Sequence, residues 1–130
     1  MKKVKKPEDQ WKTCLSEEEY AILRGKATEP PFTGKLLENK ENGVYLCAGC
    51  SQELFSSKSK FDSGTGWPSF DSPLSADKID LKSDDSHFME RVEVVCSKCG
   101  GHLGHVFDDG PKPTGKRFCI NSVALKFRKK

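Results

Sequence analysis

The six cysteines of this 130-residue chain fall into two groups by their spacing. Four of them form two Cys-x-x-Cys pairs, while Cys14 and Cys119 stand apart. Cysteines separated by two residues are typical of metal sites, because a tight turn directs both thiolates at one ion. A single cysteine with cationic neighbours is instead a candidate nucleophile. The spacing therefore predicts a metal site and, separately, a reactive thiol; the pairs are Cys47 with Cys50 and Cys96 with Cys99.

The two cysteine pairs are predicted to bind one structural Zn²⁺ ion through four thiolates. Residues 51–95 separate the pairs, a longer gap than the roughly 15–20 residues of a zinc ribbon, so the ion would join two distant segments. Two alternatives remain open at this point. The pairs could be redox or disulfide pairs, or a zinc shell could combine His102 and His105 with two cysteines. A catalytic zinc is disfavoured, because four thiolates leave no open coordination position.

Cys119 is the candidate nucleophile. In a strand, Arg117 and Asn121 would share its face, because each is two residues away. A guanidinium in that place would stabilise the thiolate and so lower the pKa of Cys119. The same pattern also fits a buried structural cysteine between Phe118 and Ile120.

Two histidines favour the reactive interpretation. His102 and His105 lie three residues apart, and a turn at residues 110–115 joins the strand predicted around His105 to the strand that carries Cys119. Asp109 is a candidate to orient one imidazole ring. A thiol beside a histidine that a carboxylate orients is a nucleophile and acid/base arrangement.

A tryptophan loop completes the candidate site. Trp67 lies between Gly66 and Pro68. Glycine permits an open turn and proline makes it rigid, so the loop is predicted to display the indole face rather than to bury it in the core.

Composition and charge limit the function classes. The net charge is +3, and much of the excess lies at the two chain ends, so the remainder gives little support to nucleic-acid binding. No apolar run is long enough to span a membrane, and no apolar stretch follows the basic N-terminus as a signal peptide requires. We therefore expect a cytoplasmic, monomeric protein whose cysteines stay reduced.

The elements that position these residues are predicted to be short. Ser16 and Glu19 form a capping box, which predicts a helix after Ser16. The polar segment 72–86 is predicted to be a long mobile excursion. We expect a mainly antiparallel β fold with one or two N-terminal helices, in a single domain of residues 1–130 with flexible tails at 1–10 and 128–130. Strands are predicted at residues 44–46, 87–96, 105–107 and 123–127.

Taken together, these motifs resemble the type B family of methionine sulfoxide reductases, the methionine-R-sulfoxide reductases. The resemblance runs from about Trp11 to Phe127 and includes both cysteine pairs. It implies a β-tent-like fold of two antiparallel sheets. The matching segments are TEPPF (28–32), GTGWPSF (64–70), GHLGHVF (101–107) and RFCINS (117–122).

The resemblance also implies the activity and the residues that perform it. Such enzymes, which act in protein repair under oxidative stress, reduce the R epimer of methionine sulfoxide at sulfur. The Cys119 thiolate would attack that sulfur, and His105, helped by His102, would supply a proton to the oxygen. Methionine would leave, and Cys119 would become a sulfenic acid. By the match, the other site residues are Asp109, Arg117 and Asn121, with Trp67, Phe70 and Phe107 against the substrate.

The route by which the sulfenic acid is reduced remains open. Many family members carry a second, resolving cysteine in the tryptophan loop, but the matching position here is Thr65. Cys14 could resolve the sulfenic acid, thioredoxin or a small thiol such as glutathione could reduce it directly, or a zinc thiolate could take part. Direct reduction is slightly favoured.

Two other function classes compete with this one. A non-catalytic zinc-binding partner module on the same scaffold would not need Cys119 or His105. A zinc-ribbon nucleic-acid binder would need a basic stripe with interleaved aromatic residues, which the sequence lacks.

Overall fold

A computed structural model of the chain describes residues 8–84 and 90–129. Short elements fill this part of the chain, as the many glycines and prolines lead one to expect. The helices are α1 (Glu8–Cys14) and α2 (Glu17–Leu23); the strands are β1 (Gly43–Cys47), β2 (Glu53–Ser56), β3 (Lys60–Phe61), β4 (Ser69–Phe70), β5 (Ile79–Asp84), β6 (Arg91–Cys96), β7 (His102–Phe107), β8 (Arg117–Ile120) and β9 (Leu125–Lys129).

The strands form two antiparallel sheets. The smaller sheet has the order β2-β1-β9, and the larger has the order β3-β4-β8-β7-β6-β5. Every strand pair among residues 8–84 and 90–129 is antiparallel. The predicted fold class, mainly β with two antiparallel sheets and short N-terminal helices, is confirmed.

An aromatic cluster joins the two sheets. Phe55 of the small sheet stacks on Phe70 of the large sheet, with ring centroids 4.4 Å apart and planes 15° apart. Tyr45 meets the edge of the same Phe70 ring at 5.1 Å. All three side chains are fully buried, so the core lies between the sheets.

The capping box begins α2 as predicted. Ser16 Oγ accepts from the Glu19 N–H at 3.1 Å, and Glu19 Oε1 accepts from the Ser16 N–H at 2.9 Å. The first helix, α1, begins at Glu8, so residues 8–10 are helical and do not belong to the flexible tail predicted at residues 1–10. It is fixed by Trp11, which is 2% exposed and stacks under the Arg24 guanidinium at 4.8 Å.

Three other segments differ from the expectation. Arg128 and Lys129 belong to β9 and pair with β1, so they are not a tail. The segment 72–86 was expected to be mobile, but its residues 79–84 form β5 and pair with β6 along their whole length. β5 lies at the edge of the larger sheet, where a strand can pair through its backbone without an apolar sequence. The prediction of a mobile segment was wrong because it relied on the polar sequence. The predicted tails, mobile excursion and strand at 87–96 also include residues 1–7, 85–89 and 130, which lie outside the described part of the chain.

Within residues 8–84 and 90–129, no helix has the length and apolar character needed to cross a membrane.

Candidate active site

Cys119 and His105 lie side by side on neighbouring strands. The β7–β8 hairpin pairs His105 directly with Cys119. Residues paired in this way project from the same face of the sheet, with Cβ atoms about 5 Å apart. Gly104 permits the close approach of these strands, because a Cβ there would lie 2.0 Å from the Cys119 carbonyl oxygen. The predicted pairing of these two strands is confirmed.

The half-buried Cys119 side chain lines a cavity of about 230 Å³. This volume is below the roughly 300–1,000 Å³ of sites that enclose a whole small-molecule ligand, so the cavity suits a single side chain. Thr28 and Arg91 also line it, and neither was among the predicted site residues. The predicted site residues that line the cavity are Trp67, His105, Phe107, Arg117, Cys119 and Asn121.

The Trp67 ring is held by its edge. Its Nε1–H donates to the Glu29 carbonyl oxygen at 2.9 Å, and the Glu29 N–H donates to Asn121 Oδ1 at 3.0 Å. Asn121 Nδ2 in turn donates to the Leu103 carbonyl oxygen at 3.0 Å. Asn121 is 3% exposed, so its amide ties the segment behind the tryptophan to β7 and fixes the indole at the cavity.

Arg117 lies over the Phe107 ring, with its guanidinium carbon 4.5 Å from the ring centroid. Its Nε and Nη2 atoms donate to the two carboxylate oxygens of Asp109 at 2.8 and 3.2 Å. Asp109 is exposed and does not line the cavity. The expectation that Asp109 orients an imidazole ring is therefore wrong: it orients Arg117, and the carboxylate on His105 is Asp84, whose Oδ2 lies 2.8 Å from Nε2.

The resting state of Cys119 differs from the sequence prediction. Burial raises the pKa of the Cys119 thiol, because the thiolate loses solvation, and the positive charge of Arg117 opposes this shift without reversing it. We expected Arg117 to lower this pKa. The half-buried thiol is therefore mostly protonated at neutral pH and needs a base, which His105 on the neighbouring strand can provide.

Thr65 occupies the place where a resolving cysteine was considered. Its hydroxyl lies 2.8 Å from Ser63 Oγ, which lies 2.7 Å from Ser69 Oγ. Ser69 is the cross-strand partner of Cys119. The three hydroxyls tie the tryptophan loop to β4 beside the thiol, and they supply no second sulfur.

Phe70 does not lie at the cavity. It is fully buried between Tyr45 and Phe55, and its cross-strand partner is Phe118. Ser69, one residue earlier, is the partner of Cys119, so Phe70 projects from the opposite face of the sheet. Its predicted contact with the substrate is wrong.

His102 lies behind His105 rather than at the cavity. The two ring centroids are 5.3 Å apart, but His102 is 2% exposed and does not line the Cys119 cavity. Its Nδ1 lies 2.7 Å from Oε2 of the buried Glu93, which also pairs with Lys26 at 3.4 Å. Burial lowers the pKa of His102, although the Glu93 carboxylate acts in the opposite direction. His102 is thus buried and neutral, and it lies outside the cavity where a proton donor would have to contact the substrate.

Cys14 does not line the cavity either. It is exposed at the last residue of α1, a helix that Trp11 anchors against α2. The position gives no support to its predicted resolving role.

The four remaining cysteines, Cys47, Cys50, Cys96 and Cys99, form the four-cysteine cluster. Their sulfur atoms all lie within 4.8 Å of one another. Cys47 Sγ is 3.7 Å from Cys99 Sγ, and Cys50 Sγ is 3.5 Å from Cys96 Sγ. Tetrahedral Zn²⁺ with Zn–S bonds of about 2.3 Å requires sulfur separations of about 3.8 Å, so the donors fit a metal ion of this kind. Among the described residues, neither His102 nor His105 belongs to this cluster. The cluster therefore gives no support to the alternative in which these two histidines and two cysteines bind the zinc.

Neighbouring groups orient the sulfurs of the four-cysteine cluster. The Gly49 N–H donates to Cys47 Sγ at 3.4 Å, and the Gly101 N–H donates to Cys99 Sγ at the same distance. Arg24 Nη1 on the segment after α2 donates to the Cys99 carbonyl oxygen at 2.9 Å. Donors aimed at sulfur are what thiolate ligands require, and the cluster joins the end of β1 to the end of β6.

Comparison with known proteins agrees with this geometry. The sequence profile of the SelR domain matches residues 15–129. The peptide methionine sulfoxide reductase MsrB of Methanosarcina barkeri is 63% identical over 127 residues, which span 98% of this chain and 89% of that protein. The chain belongs to the MsrB family. The MsrB proteins of Methanosarcina mazei (61% over 127 residues, 98% and 91% of the two chains) and Leptospira interrogans (56% over 126 residues, 97% and 96%) are similarly related.

The MsrB family membership confirms the resemblance drawn from the motifs. The SelR match includes the cavity residues and the four-cysteine cluster, so both sites lie inside the family's domain.

Proposed function

We propose that this protein reduces methionine-R-sulfoxide, free or within proteins, to methionine, with Cys119 as the nucleophile. The observation that carries the proposal is the pairing of Cys119 with His105 in a cavity for one side chain, beside Trp67. The relatives named MsrB are peptide methionine sulfoxide reductases, which supports the same reaction. The protein is thus an oxidoreductase with a role in the repair of oxidised proteins.

The two kinds of cavity wall suit a sulfoxide. Trp67 presents an apolar ring to the methyl group, while Arg117 and His105 lie where polar groups can meet the oxygen. A sulfoxide sulfur carries the methyl, the oxygen and the side-chain carbon in a fixed chiral order. A wall that is apolar on one side and polar on the other therefore distinguishes the R from the S epimer.

The chemistry conserves atoms and protons. The Cys119 thiol gives its proton to His105, and the thiolate attacks the sulfoxide sulfur. The proton then passes to the oxygen, and the resulting hydroxyl moves to the Cys119 sulfur as the S–O bond to methionine sulfur and the newly formed S–S bond both break. The products are methionine and the sulfenic acid of Cys119.

Recycling is proposed to occur by direct attack of an external thiol on the sulfenic acid. Thr65 offers no sulfur beside Cys119, and Cys14 lies outside the cavity. Thioredoxin, or a small thiol such as glutathione, would form a mixed disulfide with Cys119, and a second thiol would release it.

The four-cysteine cluster is proposed to hold one structural Zn²⁺ ion. Four thiolates complete a tetrahedral shell, so the ion would stabilise the junction of β1 and β6 and take no part in the reaction. We further propose a single-domain monomer spanning residues 1–130 that acts in the cytoplasm, where its thiols remain reduced, without binding nucleic acid or membrane.

The test uses the separate R and S epimers of methionine sulfoxide with dithiothreitol as reductant. The wild-type protein should consume the R epimer and leave the S epimer, and Cys119→Ser should be inactive while Cys14→Ser retains full activity. Full activity in Cys119→Ser would refute Cys119 as the nucleophile, whereas no activity in the folded wild type would favour the non-catalytic zinc module instead.

A further inference from the structure

Asp84 is a buried carboxylate directly behind the proposed acid and base. It ends β5 and is 7% exposed. Its Oδ2 lies 2.8 Å from His105 Nε2 and 3.5 Å from Arg91 Nη2. His105 and Arg91 both line the Cys119 cavity, whereas Asp84 does not. Asp84 thus joins two cavity groups from outside the cavity.

The neighbouring carboxylates are committed elsewhere. Asp109 binds Arg117 from the exposed side. Glu93 is the cross-strand partner of His105, but its Oε2 lies 2.7 Å from His102 Nδ1. Each of the two histidines therefore has its own buried carboxylate, and the one for His105 is Asp84.

We propose that Asp84 is a positioning residue of the sulfoxide-reducing centre, which holds His105 through Nε2 and leaves Nδ1 as the nitrogen that exchanges the proton. The proposal rests on the proposed function of Cys119. Because the carboxylate accepts a hydrogen bond, it keeps a proton on Nε2 whether the ring is neutral or charged. Nδ1 of the neutral ring is then an acceptor for the Cys119 proton.

The same contact favours the charged intermediate state. When Nδ1 takes the thiol proton, the imidazolium forms beside a buried negative charge, and the low local dielectric strengthens their attraction. When Nδ1 gives the proton to the sulfoxide oxygen, the ring returns to its starting tautomer without rotating. Arg91, whose Nη2 lies 3.5 Å from the same Oδ2 atom, places a positive charge beside the carboxylate.

The first test compares Asp84→Asn with Asp80→Asn. The first change keeps the shape of the side chain and an acceptor oxygen but removes the charge beside His105. The second makes the same chemical change at an exposed position of the same strand. In single-turnover reduction of the R epimer, we expect Asp84→Asn to lower the maximal rate constant by about 10- to 100-fold, with the half-saturating substrate concentration changed less than about twofold, by analogy with the loss when a carboxylate that orients a metal-binding histidine is removed. Asp80→Asn should match the wild type.

The second test observes the wild-type ring itself and does not depend on how a variant folds. Long-range ¹H–¹⁵N spectra of the protein should show the neutral His105 ring protonated at Nε2. A neutral ring protonated at Nδ1, or a folded Asp84→Asn variant with the wild-type single-turnover rate constant, would overturn the proposal. An inactive wild type would instead count against the function of Cys119, so the two failures are distinguishable.

Discussion

Replacement of Phe70 by leucine tests whether this residue stabilises the core or binds the substrate. Phe70 stacks on Phe55 at 4.4 Å and meets Tyr45 edge-on at 5.1 Å. Leucine retains most of the apolar volume but loses both ring pairs, each of which contributes about 0.5–1.5 kcal/mol beyond simple burial. We therefore expect Phe70→Leu to lower the free energy of unfolding by about 1–3 kcal/mol, which for a chain of this length is a fall in Tm on the order of 5–15 °C.

The assay pairs thermal unfolding with kinetics at a temperature where the variant is folded. KM for the R epimer should be unchanged, because Phe70 projects away from Cys119. Trp67→Leu is the matched comparison: loss of the indole face that we assign to the methyl group, worth about 0.8 kcal/mol, should raise KM about fourfold or more. A Phe70→Leu variant with unchanged Tm and raised KM would refute the assignment of Phe70 to the core.

Three further outcomes follow from the buried ionisable groups and the metal ligands. Because burial raises the pKa of Cys119, its alkylation by iodoacetamide should be slower than that of the exposed Cys14 at neutral pH. The alkylation rate should rise with pH, with a midpoint above about 8.5, the pKa of an ordinary thiol. Arg117→Met should move that midpoint further upward, and an unchanged midpoint would show that the guanidinium does not act on the thiol. Because burial lowers the pKa of His102, the neutral ring stabilises the fold above about pH 6.5, and this stability is lost as pH falls below that value. Denaturant unfolding at about pH 7.5 and about pH 5.5 should show a smaller difference for His102→Asn than for the wild type. Removal of metal from the four-cysteine cluster should unfold the domain, and a metal-free protein with native near-UV circular dichroism would contradict a structural ion.

The parts of the site that are local in sequence could be predicted. The pairing of His105 with Cys119 follows from two strands joined by a short turn, so the spacing alone placed them together. The four-cysteine cluster was predictable for a similar reason, because each Cys-x-x-Cys pair defines its own turn.

The parts that depend on register could not be predicted. Asp84 reaches His105 only because β5 pairs with β6, and the polar sequence of β5 resembled a loop. His102 lies beside His105 where the β6–β7 register shifts by one residue, a β-bulge that no residue pattern announced. Phe70 was assigned to the substrate by its closeness to Trp67 in the chain, although adjacent residues of a strand face opposite sides.

The direction of the Cys119 pKa shift, which depends on the balance between burial and nearby charge, also could not be predicted from the sequence. Arg117 two residues away correctly indicated a cation near the thiol, but the net direction of its pKa depends on how much solvent the fold removes. That quantity depends on the residues that surround the thiol, among them Trp67 and Thr28 in the cavity wall.

The most direct test of the central claim is to map every thiol after one turnover with the R epimer and no reductant. The protein should release about one methionine per chain, and dimedone should trap a sulfenic acid on Cys119 alone. A Cys14–Cys119 disulfide would contradict direct recycling by an external thiol. Release of methionine with Cys119 still a free thiol would contradict its role as the nucleophile.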